Sequence, residues 1–318
     1  MTWDFQDRIW TRRMNRRDFF ALAGAGLAGA GVGLGGCASD PVTGKSTLVL
    51  MSESQEIGID RDQSRHQFSR DYGASQDAPL NAYIAEVGRD LARVSHRPGM
   101  PYSFRAVNAP YVNAYAFPGG SIATTRGILL CLEDESELSA LLGHEIGHVA
   151  ARHAAERQSK GMLTQLAVAG ATVAVGSSEY RDFAGLTQTL GELGGTALLA
   201  HYSREDEREA DALGMRYAAR AGANPAGMVG LMDVLLQENK RRPGAIERMF
   251  ATHPKSSERY ATARQRLDAD YTPLKDRPTN RERYMDETAK LRRIGPAIEA
   301  QQAAEQAFRR GKVQQAEA

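Results

Sequence analysis

The segment LLGHEIGHVA, residues 141–150, places two histidines four residues apart with a glutamate directly after the first. An α-helix turns once every 3.6 residues, so His144 and His148 would lie on one face, one turn apart. Both imidazoles can then reach a single zinc ion at the usual distance of about 2.0–2.1 Å. Glu145 would lie about 100° around the helix. From there it can take the proton of a water whose pKa is lowered at the metal. This is the pattern of a metal-dependent hydrolase, although a solvated helix can carry the same letters.

A second pair of residues with the same spacing offers a third ligand. Glu207 and Asp211, within SREDEREADALG, would both point to one place from a helix. Glu207 can complete a site of two histidines and one glutamate that keeps an open position for water. Asp211 can accept a hydrogen bond from the outer nitrogen of a ligating histidine. The alternative is a salt-bridged surface helix, because acidic residues alternate with arginines here.

Four motifs together resemble a known family. GHEIGHVAARH and SREDEREADALG are accompanied by NAYAFPGGSIATTRGIL upstream and ATHPKSSER downstream, over roughly residues 52–268. In this order they resemble the zinc metallopeptidases related to HtpX and the Ste-type prenyl-protein proteases, and more specifically the exported BepA/LoiP-like branch. The resemblance implies a zincin-like fold that binds one Zn²⁺ per chain.

The resemblance also implies roles for single residues. His144, His148 and Glu207 would be the zinc ligands and Glu145 the general base. Family descriptions often count the residue at Asp211 as catalytic, as a proton donor. A paired carboxylate is a poor acid at neutral pH, so a role in orienting a ligand is physically favoured for Asp211.

His253, in the sequence THP, is a further candidate from a predicted loop. It can approach the open metal position or stabilise the developing oxyanion, and the alternative is a solvated loop histidine. Tyr202 and Arg204 are additional oxyanion candidates. His153 lies five residues past His148, about 140° from the ligand face of a continuous helix. It is therefore not expected to be a ligand.

A short strand next to these motifs is the expected substrate-binding element. In zinc peptidases of this kind, an edge strand beside the metal-binding helix pairs with the substrate, which recognises backbone and not sequence. The segment YVNAYAFPGG provides the candidate residues, and an ordinary hairpin is the alternative. The strand residues are Asn113, Ala114, Tyr115 and Ala116.

The elements that would position these groups are mostly helical. Helical periodicity begins near Ser52 and recurs where Leu80, Ile84, Val87 and Leu91 share one face. YSFRAVN, YVNAYAF and SIATTRGILLCL are predicted strands. Asp134 with Glu137 predicts a capping box for one helix through ESELSALLGHEIGHVAARHAAE, and ERMFATHPKSSERYATARQRL is predicted to begin in a loop. The fold class is therefore α+β, mostly helical, with a small antiparallel sheet beside the HExxH helix.

The N-terminal region has the features of an export signal. A basic segment and an apolar stretch lead into the lipobox-like LGGC, which ends at Cys37, the predicted lipidation site. A plain secretory signal with an incidental cysteine is the alternative. The predicted organisation is a twin-arginine-like signal over 1–36, a lipidated tether over 37–51, a zinc peptidase domain over 52–268 and a polar C-terminal helical tail over 269–318. Ala38 and Ser39, which follow the cysteine, provide no aspartate at the position of the inner-membrane retention signal, so attachment to the outer membrane is expected.

Composition bounds the function. The 318 residues are 42% hydrophobic and 25% charged with a formal net charge of +1, which suits a globular protein and gives no reason to expect a nucleic-acid partner. The expected function is a cell-envelope metalloendopeptidase acting on unfolded or misassembled proteins. One alternative is a periplasmic chaperone or assembly factor with a structural or latent zinc site, against which Glu145 argues. A peptidoglycan-directed zinc hydrolase is the other, although no wall-binding module is recognisable. No feature of the sequence sets the oligomeric state.

Overall fold

A computed structural model describes residues 38–174, 202–254 and 257–311. The predicted export signal and Cys37 lie outside these residues, as does an apolar helical segment predicted over 183–200. Among the described residues, no helix combines the length and the hydropathy that crossing a membrane requires.

The described chain is mostly helical with one three-stranded sheet, which confirms the predicted fold class. The strands are β1 (Ala38–Ser39), β2 (Ser46–Thr47), β3 (Ser103–Val107), β4 (Ala114–Ala116) and β5 (Ser121–Thr125). The helices before the segment left undescribed are α1 (Glu53–Arg70), α2 (Ala78–Arg93), α3 (Arg126–Cys131), α4 (Glu135–Ala150) and α5 (His153–Ala174). Those after it are α6 (Arg204–Ala221), α7 (Gly227–Arg241), α8 (Pro243–Thr252), α9 (Ser257–Asp270), α10 (Arg281–Glu287), α11 (Ala289–Arg293) and α12 (Gly295–Arg309).

The three-stranded sheet is mixed, so the prediction of an antiparallel sheet is wrong for one of its two pairings. Its strand order is β3-β5-β4, with β4 antiparallel and β3 parallel to β5. After β3, the chain leaves the sheet and packs against α8, where the Val112 amide donates to the Ala245 carbonyl over 2.9 Å. Strand β4 therefore does not fold back on β3, and β5 lies between them. Within the described chain, β4 is an edge strand.

The predicted strand SIATTRGILLCL is half strand and half helix. Strand β5 ends at Thr125, whose hydroxyl accepts a hydrogen bond from the Ile128 amide over 3.3 Å and caps α3. A threonine in extended conformation can serve as a helix cap in this way. The apolar run after Thr125 is thus buried as one and a half turns of helix.

Helix α4 carries the HExxH motif through the centre of the protein. Asp134 caps it by accepting from the Glu137 amide over 3.1 Å. The Glu137 carboxylate accepts from the Glu133 amide over 2.6 Å, one residue before the position that a capping box uses. All 16 residues of α4 are buried, including the four predicted core residues Leu138, Leu141, Leu142 and Ile146.

The prediction of one continuous helix through the HExxH segment is wrong. Helix α4 ends at Ala150, and α5 begins at His153 after Arg152, whose φ is +60°. A left-handed conformation costs a non-glycine residue about 1–3 kcal/mol. Arg152 is held there because its Nε donates to Glu56 over 3.1 Å and its Nη2 to the Met51 carbonyl over 2.6 Å.

Helices α4 and α6 approach each other closely at small residues. A Cβ atom added to Gly143 would lie 3.0 Å from the Cα of Gly214. One added to Gly147 would lie 3.1 Å from the Cα of Ala210. These glycines directly precede His144 and His148, so the missing side chains allow both histidines to approach α6.

The C-terminal part of the chain belongs to the same core. Helix α8 contains residues predicted as a loop, because Pro243 in its first turn suits a helix start. The segment predicted as a polar helical tail is helical from 281 to 309, and its buried face contributes Tyr284, Leu291 and Ile298 to the main hydrophobic cluster.

Candidate active site

Three helices bring four potential metal ligands together. His144 and His148 lie one turn apart on α4, Glu207 lies in the first turn of α6, and His253 directly follows the last residue of α8. None of the four is more than 3% exposed. One nitrogen or oxygen of each lies within 4.8 Å of the corresponding atoms of the others. His253 is thus neither solvated nor remote from the predicted ligands.

The distances between these atoms suit a tetrahedral ion. A tetrahedron with metal–ligand bonds of about 2.0–2.1 Å has edges of about 3.3–3.4 Å. His144 Nε2 lies 3.1 Å from His148 Nε2 and 3.4 Å from His253 Nδ1. Glu207 Oε1 lies 3.4 Å from His148 Nε2 and 2.9 Å from His253 Nδ1. The four residues therefore fit a metal ion, with His253 at the fourth vertex.

The protonation states of the cluster favour cation binding. Burial lowers the pKa of His148 well below its usual value, which keeps its imidazole neutral. Burial alone would raise the pKa of Glu207, but His253 and His144 more than offset it, and the net pKa is lowered. A carboxylate and a neutral imidazole are the forms in which these side chains bind metals.

Glu145 lies in the same cluster but has a different environment. It is fully buried, and neither carboxylate oxygen has a hydrogen-bond partner within the described part of the chain. Its Oε1 lies 3.7 Å from His253 Nε2. Desolvation raises its pKa, with neighbouring histidines opposing the shift. A buried carboxylate without a hydrogen-bond partner lowers the stability of the fold. Its presence here indicates a functional group that binds water or accepts a proton.

Asp211 contacts a ligand and an arginine. Its Oδ1 lies 2.9 Å from His144 Nδ1, and Arg259 donates to both of its oxygens over 2.7 Å. Arg259 also pairs with Glu207 Oε2 over 2.5 Å. Burial would raise the pKa of Asp211, but Arg259 lowers it, and the net shift is downward. Asp211 is thus placed to orient His144 as an ionised group.

Arg259 and His153 are the two site residues that the sequence analysis missed. Arg259 is part of ATHPKSSER, so the motif contained it, but no spacing rule links α9 to α6. His153 was excluded as a ligand, and its Nδ1 in fact contacts Nδ1 of His148 over 2.9 Å. The ring of Tyr202 stacks on His148 with a centroid distance of 3.7 Å. Arg204, the other oxyanion candidate, is exposed at the start of α6.

The predicted substrate strand lies beside the metal cluster. Asn113 precedes β4, which contains Ala114, Tyr115 and Ala116, and all four residues are at most 6% exposed. Ala116 shares a narrow cavity with His148 and Tyr202. The hydroxyl of Tyr115 donates to the buried carboxylate of Asp71 over 2.5 Å, and this hydrogen bond fixes the Tyr115 side chain.

Comparisons with known proteins agree with this geometry. The model of peptidase family M48 matches residues 78–267, which contain every described site residue. The chain is 30% identical over 243 residues, 75% of its length, to a protein of Yersinia pestis named beta-barrel assembly-enhancing protease, of which it covers 48%. It is 33% identical over 197 residues, 61% of its length, to metalloprotease LoiP of Escherichia coli, of which it covers 74%.

A further relative, matched over a shorter stretch, comes from a plant. The chain is 31% identical over 168 residues, 53% of its length, to mitochondrial metalloendopeptidase OMA1 of Arabidopsis thaliana, of which it covers 32%. The chain spans about half the length, or less, of the beta-barrel assembly-enhancing proteases it matches, with 48%, 42% and 40% of three of them covered.

Proposed function

Because the chain belongs to peptidase family M48, we propose that it is a zinc-dependent metalloendopeptidase of the bacterial cell envelope. The observation that carries this proposal is Glu145, a buried carboxylate without a hydrogen-bond partner among the described residues, beside three histidines and a glutamate. A structural zinc site needs ligands but no base. Glu145 is thus the feature that a hydrolase requires and a purely structural site does not.

Zinc is the proposed ion because of the donor set. Imidazole nitrogens with one carboxylate oxygen in tetrahedral arrangement are typical of catalytic zinc sites. His144 and His148 would bind through Nε2 and Glu207 through its carboxylate. When bound, zinc supplies a Lewis acid that lowers the pKa of a water and polarises the scissile carbonyl.

The protein residues then divide the remaining work. Glu145 removes the proton of the attacking water and returns it to the leaving amine nitrogen, as a general base and then a general acid. Asp211 holds His144 through its Nδ1, which fixes the ring while Nε2 faces the metal. Arg259 neutralises Asp211 and Glu207, so that both carboxylates remain ionised in a buried site.

His253 is proposed to control access to the metal. With its Nδ1 at the fourth vertex, it occupies the position that a catalytic zinc keeps for water. Proteolysis would then require His253 to leave this vertex, so that water and the substrate carbonyl could take its place. The alternative role is stabilisation of the oxyanion by the same imidazole.

The position of His253 at the fourth vertex favours a second candidate function. A site closed by four protein ligands is characteristic of structural zinc. A chaperone or assembly factor with a structural or latent zinc site would keep His253 in place permanently. The two functions differ in whether Glu145 is needed for any measurable activity.

Unfolded or misassembled envelope proteins are the proposed substrates. Strand β4 is an edge strand next to the HExxH helix and can recognise an extended peptide through its backbone. Such recognition suits polypeptides whose own strands are unpaired. The name of the Yersinia pestis relative, a beta-barrel assembly-enhancing protease, agrees with substrates of this class.

An outer-membrane lipid anchor on the periplasmic side is the proposed location. The signal-like N-terminus and LGGC, which ends at Cys37, support this proposal. Between Cys37 and α1 the chain forms the paired strands β1 and β2, and Val49 and Met51 are buried, so this short segment is not freely extended. The peptidase would thus remain close to the membrane surface.

Digestion of an unfolded model protein tests the proposed function. The purified protein should cleave reduced, alkylated casein, and a zinc chelator should abolish cleavage. Glu145→Gln should retain one zinc per chain and the far-UV circular dichroism of the parent, while its rate falls by about 10²–10⁴-fold, as for loss of a general base. Glu205→Gln, at an exposed position on α6, is the matched control and should cleave normally. Parental cleavage by Glu145→Gln, with contaminating proteases excluded, contradicts the proposal.

A further inference from the structure

His148 contacts a further histidine, His153, which lies outside the metal cluster and has no role in the proposed mechanism. His148 Nδ1 lies 2.9 Å from Nδ1 of His153, and the two residues are 2% and 3% exposed. The other nitrogen of His148, Nε2, faces the ligand atoms of His144 and Glu207 at 3.1 and 3.4 Å. His153 therefore contacts the side of His148 that points away from the metal cluster.

These contacts assign a proton to each ring. A nitrogen that binds a metal carries no proton, so the proton of neutral His148 is on Nδ1 and is donated to His153. Nδ1 of His153 accepts, which leaves the proton of His153 on Nε2. That nitrogen lies 3.2 Å from the Glu209 carboxylate and 3.8 Å from that of Asp206. A chain of two imidazoles and a carboxylate thus runs from the metal cluster to half-buried acids on α6.

The two histidines of the HExxH motif are consequently oriented in different ways. The outer nitrogen of His144 reaches the carboxylate of Asp211 directly over 2.9 Å. In His148 the equivalent nitrogen reaches a carboxylate only through His153. Most ligating histidines donate to a carboxylate, a backbone carbonyl or water, so the interposed ring is a distinct arrangement.

The break between α4 and α5 makes the His153 contact geometrically possible. In a continuous helix, residue 153 would lie about 140° from His148 and about 7.5 Å further along the axis. Arg152, with φ +60°, turns the chain so that the His153 ring returns to His148. The strained residue and the interposed ring are therefore parts of one local structure, anchored by Glu56 and the Met51 carbonyl.

We propose that His153 is a positioning residue of the metal centre, which fixes the ring orientation and tautomer of His148 and is itself fixed by Glu209. The proposal rests on the proposed function, because it takes His148 as a zinc ligand. Partners of this kind typically contribute about 10–100-fold to metal affinity or activity. His153 touches neither substrate nor metal in this assignment.

Zinc affinity, measured by chelator competition on the full-length protein, tests the role independently of proteolysis. His153→Phe keeps a ring but cannot accept the proton, and we expect it to weaken zinc binding about 10–100-fold. His153→Gln provides an amide oxygen as acceptor and should recover most of the affinity. His96→Phe is the matched control, because His96 is a half-buried histidine paired with Tyr217 elsewhere. It should bind zinc like the parent.

Two further readouts separate positioning from simple stabilisation. The melting temperature of metal-free His153→Phe should stay within the range of His96→Phe, and the visible spectrum of the Co²⁺-loaded variant should change. Glu209 is half-buried and lies at the outer end of the hydrogen-bonded series from His148 through His153. Glu209→Leu should therefore also weaken zinc binding, by a smaller factor than His153→Phe. Glu205→Leu on the same helix should not.

Each outcome has a defined meaning. A parent protein that binds no zinc contradicts the proposed function itself. If the parent binds zinc and His153→Phe binds it equally well, only the positioning role is overturned. If His153→Phe does not fold, His153→Gln with near-parental affinity together with weaker binding by Glu209→Leu supports the role. Unchanged binding by Glu209→Leu in that case overturns it.

Discussion

Asp211 shows how a neighbouring residue decides the role of a carboxylate. The family resemblance allows a proton donor at this position, but Arg259 donates to both oxygens over 2.7 Å and lowers the pKa of the group. An ionised carboxylate that already accepts three hydrogen bonds has no proton to give at neutral pH. Its contact with His144 instead favours a role in orienting this metal ligand.

Asp211→Asn should therefore reduce zinc affinity and leave the chemistry of the loaded enzyme largely intact. The amide oxygen can still accept from His144, but the charge of Arg259 is no longer matched, and we expect a loss of about 10–100-fold in affinity. Chelator competition and kcat at saturating zinc measure the two effects separately. A normal affinity with a large fall in kcat would restore the proton-donor role.

His253→Ala distinguishes the two proposed roles of the fourth potential ligand. If His253 occupies the vertex at rest, the variant should keep its zinc on His144, His148 and Glu207 and cleave casein faster than the parent. If His253 stabilises the oxyanion, turnover should instead fall by about 10²–10³. Zinc content and initial rates, measured side by side, decide between them, and an unchanged rate contradicts both.

The ligands could be predicted from the sequence, whereas their supporting residues could not. Four-residue spacing on a helix has a fixed geometry, so His144 with His148, and Glu207 with Asp211, follow from local sequence. Arg259 reaches Asp211 from another helix, and its position depends on tertiary packing. His153 reaches His148 only because the chain reverses at Arg152, and Ala-Arg-His contains no residue that favours a left-handed turn.

At the level of elements, the contact of α4 with α6 determines whether the ligands meet. The close approach at Gly143 and Gly147 leaves no room for a Cβ without displacement of the α6 backbone. In the pattern GHEIGH, each histidine ligand therefore directly follows a glycine that allows the two helices to pack closely.

Gly147→Ala should consequently lower both the free energy of unfolding and the affinity for zinc. Its Cβ would meet the Ala210 Cα at 3.1 Å, which separates the helices that carry His148 and Glu207. Gly161→Ala is the matched control, because its Cβ on α5 meets nothing within 4 Å. That variant should gain about 0.5–1 kcal/mol from the loss of a helical glycine. Urea unfolding and zinc competition on both proteins check the prediction, which fails if the two variants behave alike.

Element types were more predictable than element partners. Helix α6 is capped by Ser203 and ends at Gly222, and both residue types indicate helix limits because caps depend on local chemistry. The parallel pairing of β3 with β5 is non-local, and no residue in either strand encodes its partner. The turn between β4 and β5 lies at PGG and is local, whereas the position of β5 between the other strands depends on non-local pairing.

At the scale of the whole molecule, Cys37→Ser should release the protein from the membrane without loss of proteolysis. The anchor would consist of a diacylglyceryl group and an amide-linked chain, enough for stable attachment, and it lies outside the family match at 78–267. Membrane fractionation and casein cleavage measure the two properties. Cys131→Ser, at the described free cysteine, should remain in the membrane fraction. A Cys37→Ser protein that stays with the membrane would assign the attachment to another segment.

The complete burial of Glu145, with His253 at the vertex and β4 at most 3% exposed, has a consequence for the kinetics of the proposed peptidase. Every substrate would have to wait for the same opening of the protein before its own cleavage begins. If opening is the slowest step, peptides of different sequence would share one ceiling on kcat and differ only in KM. The peptidase would then favour chains that stay extended for a long time. Folded proteins would not be cleaved, because their transiently unfolded segments would refold before the active site opens.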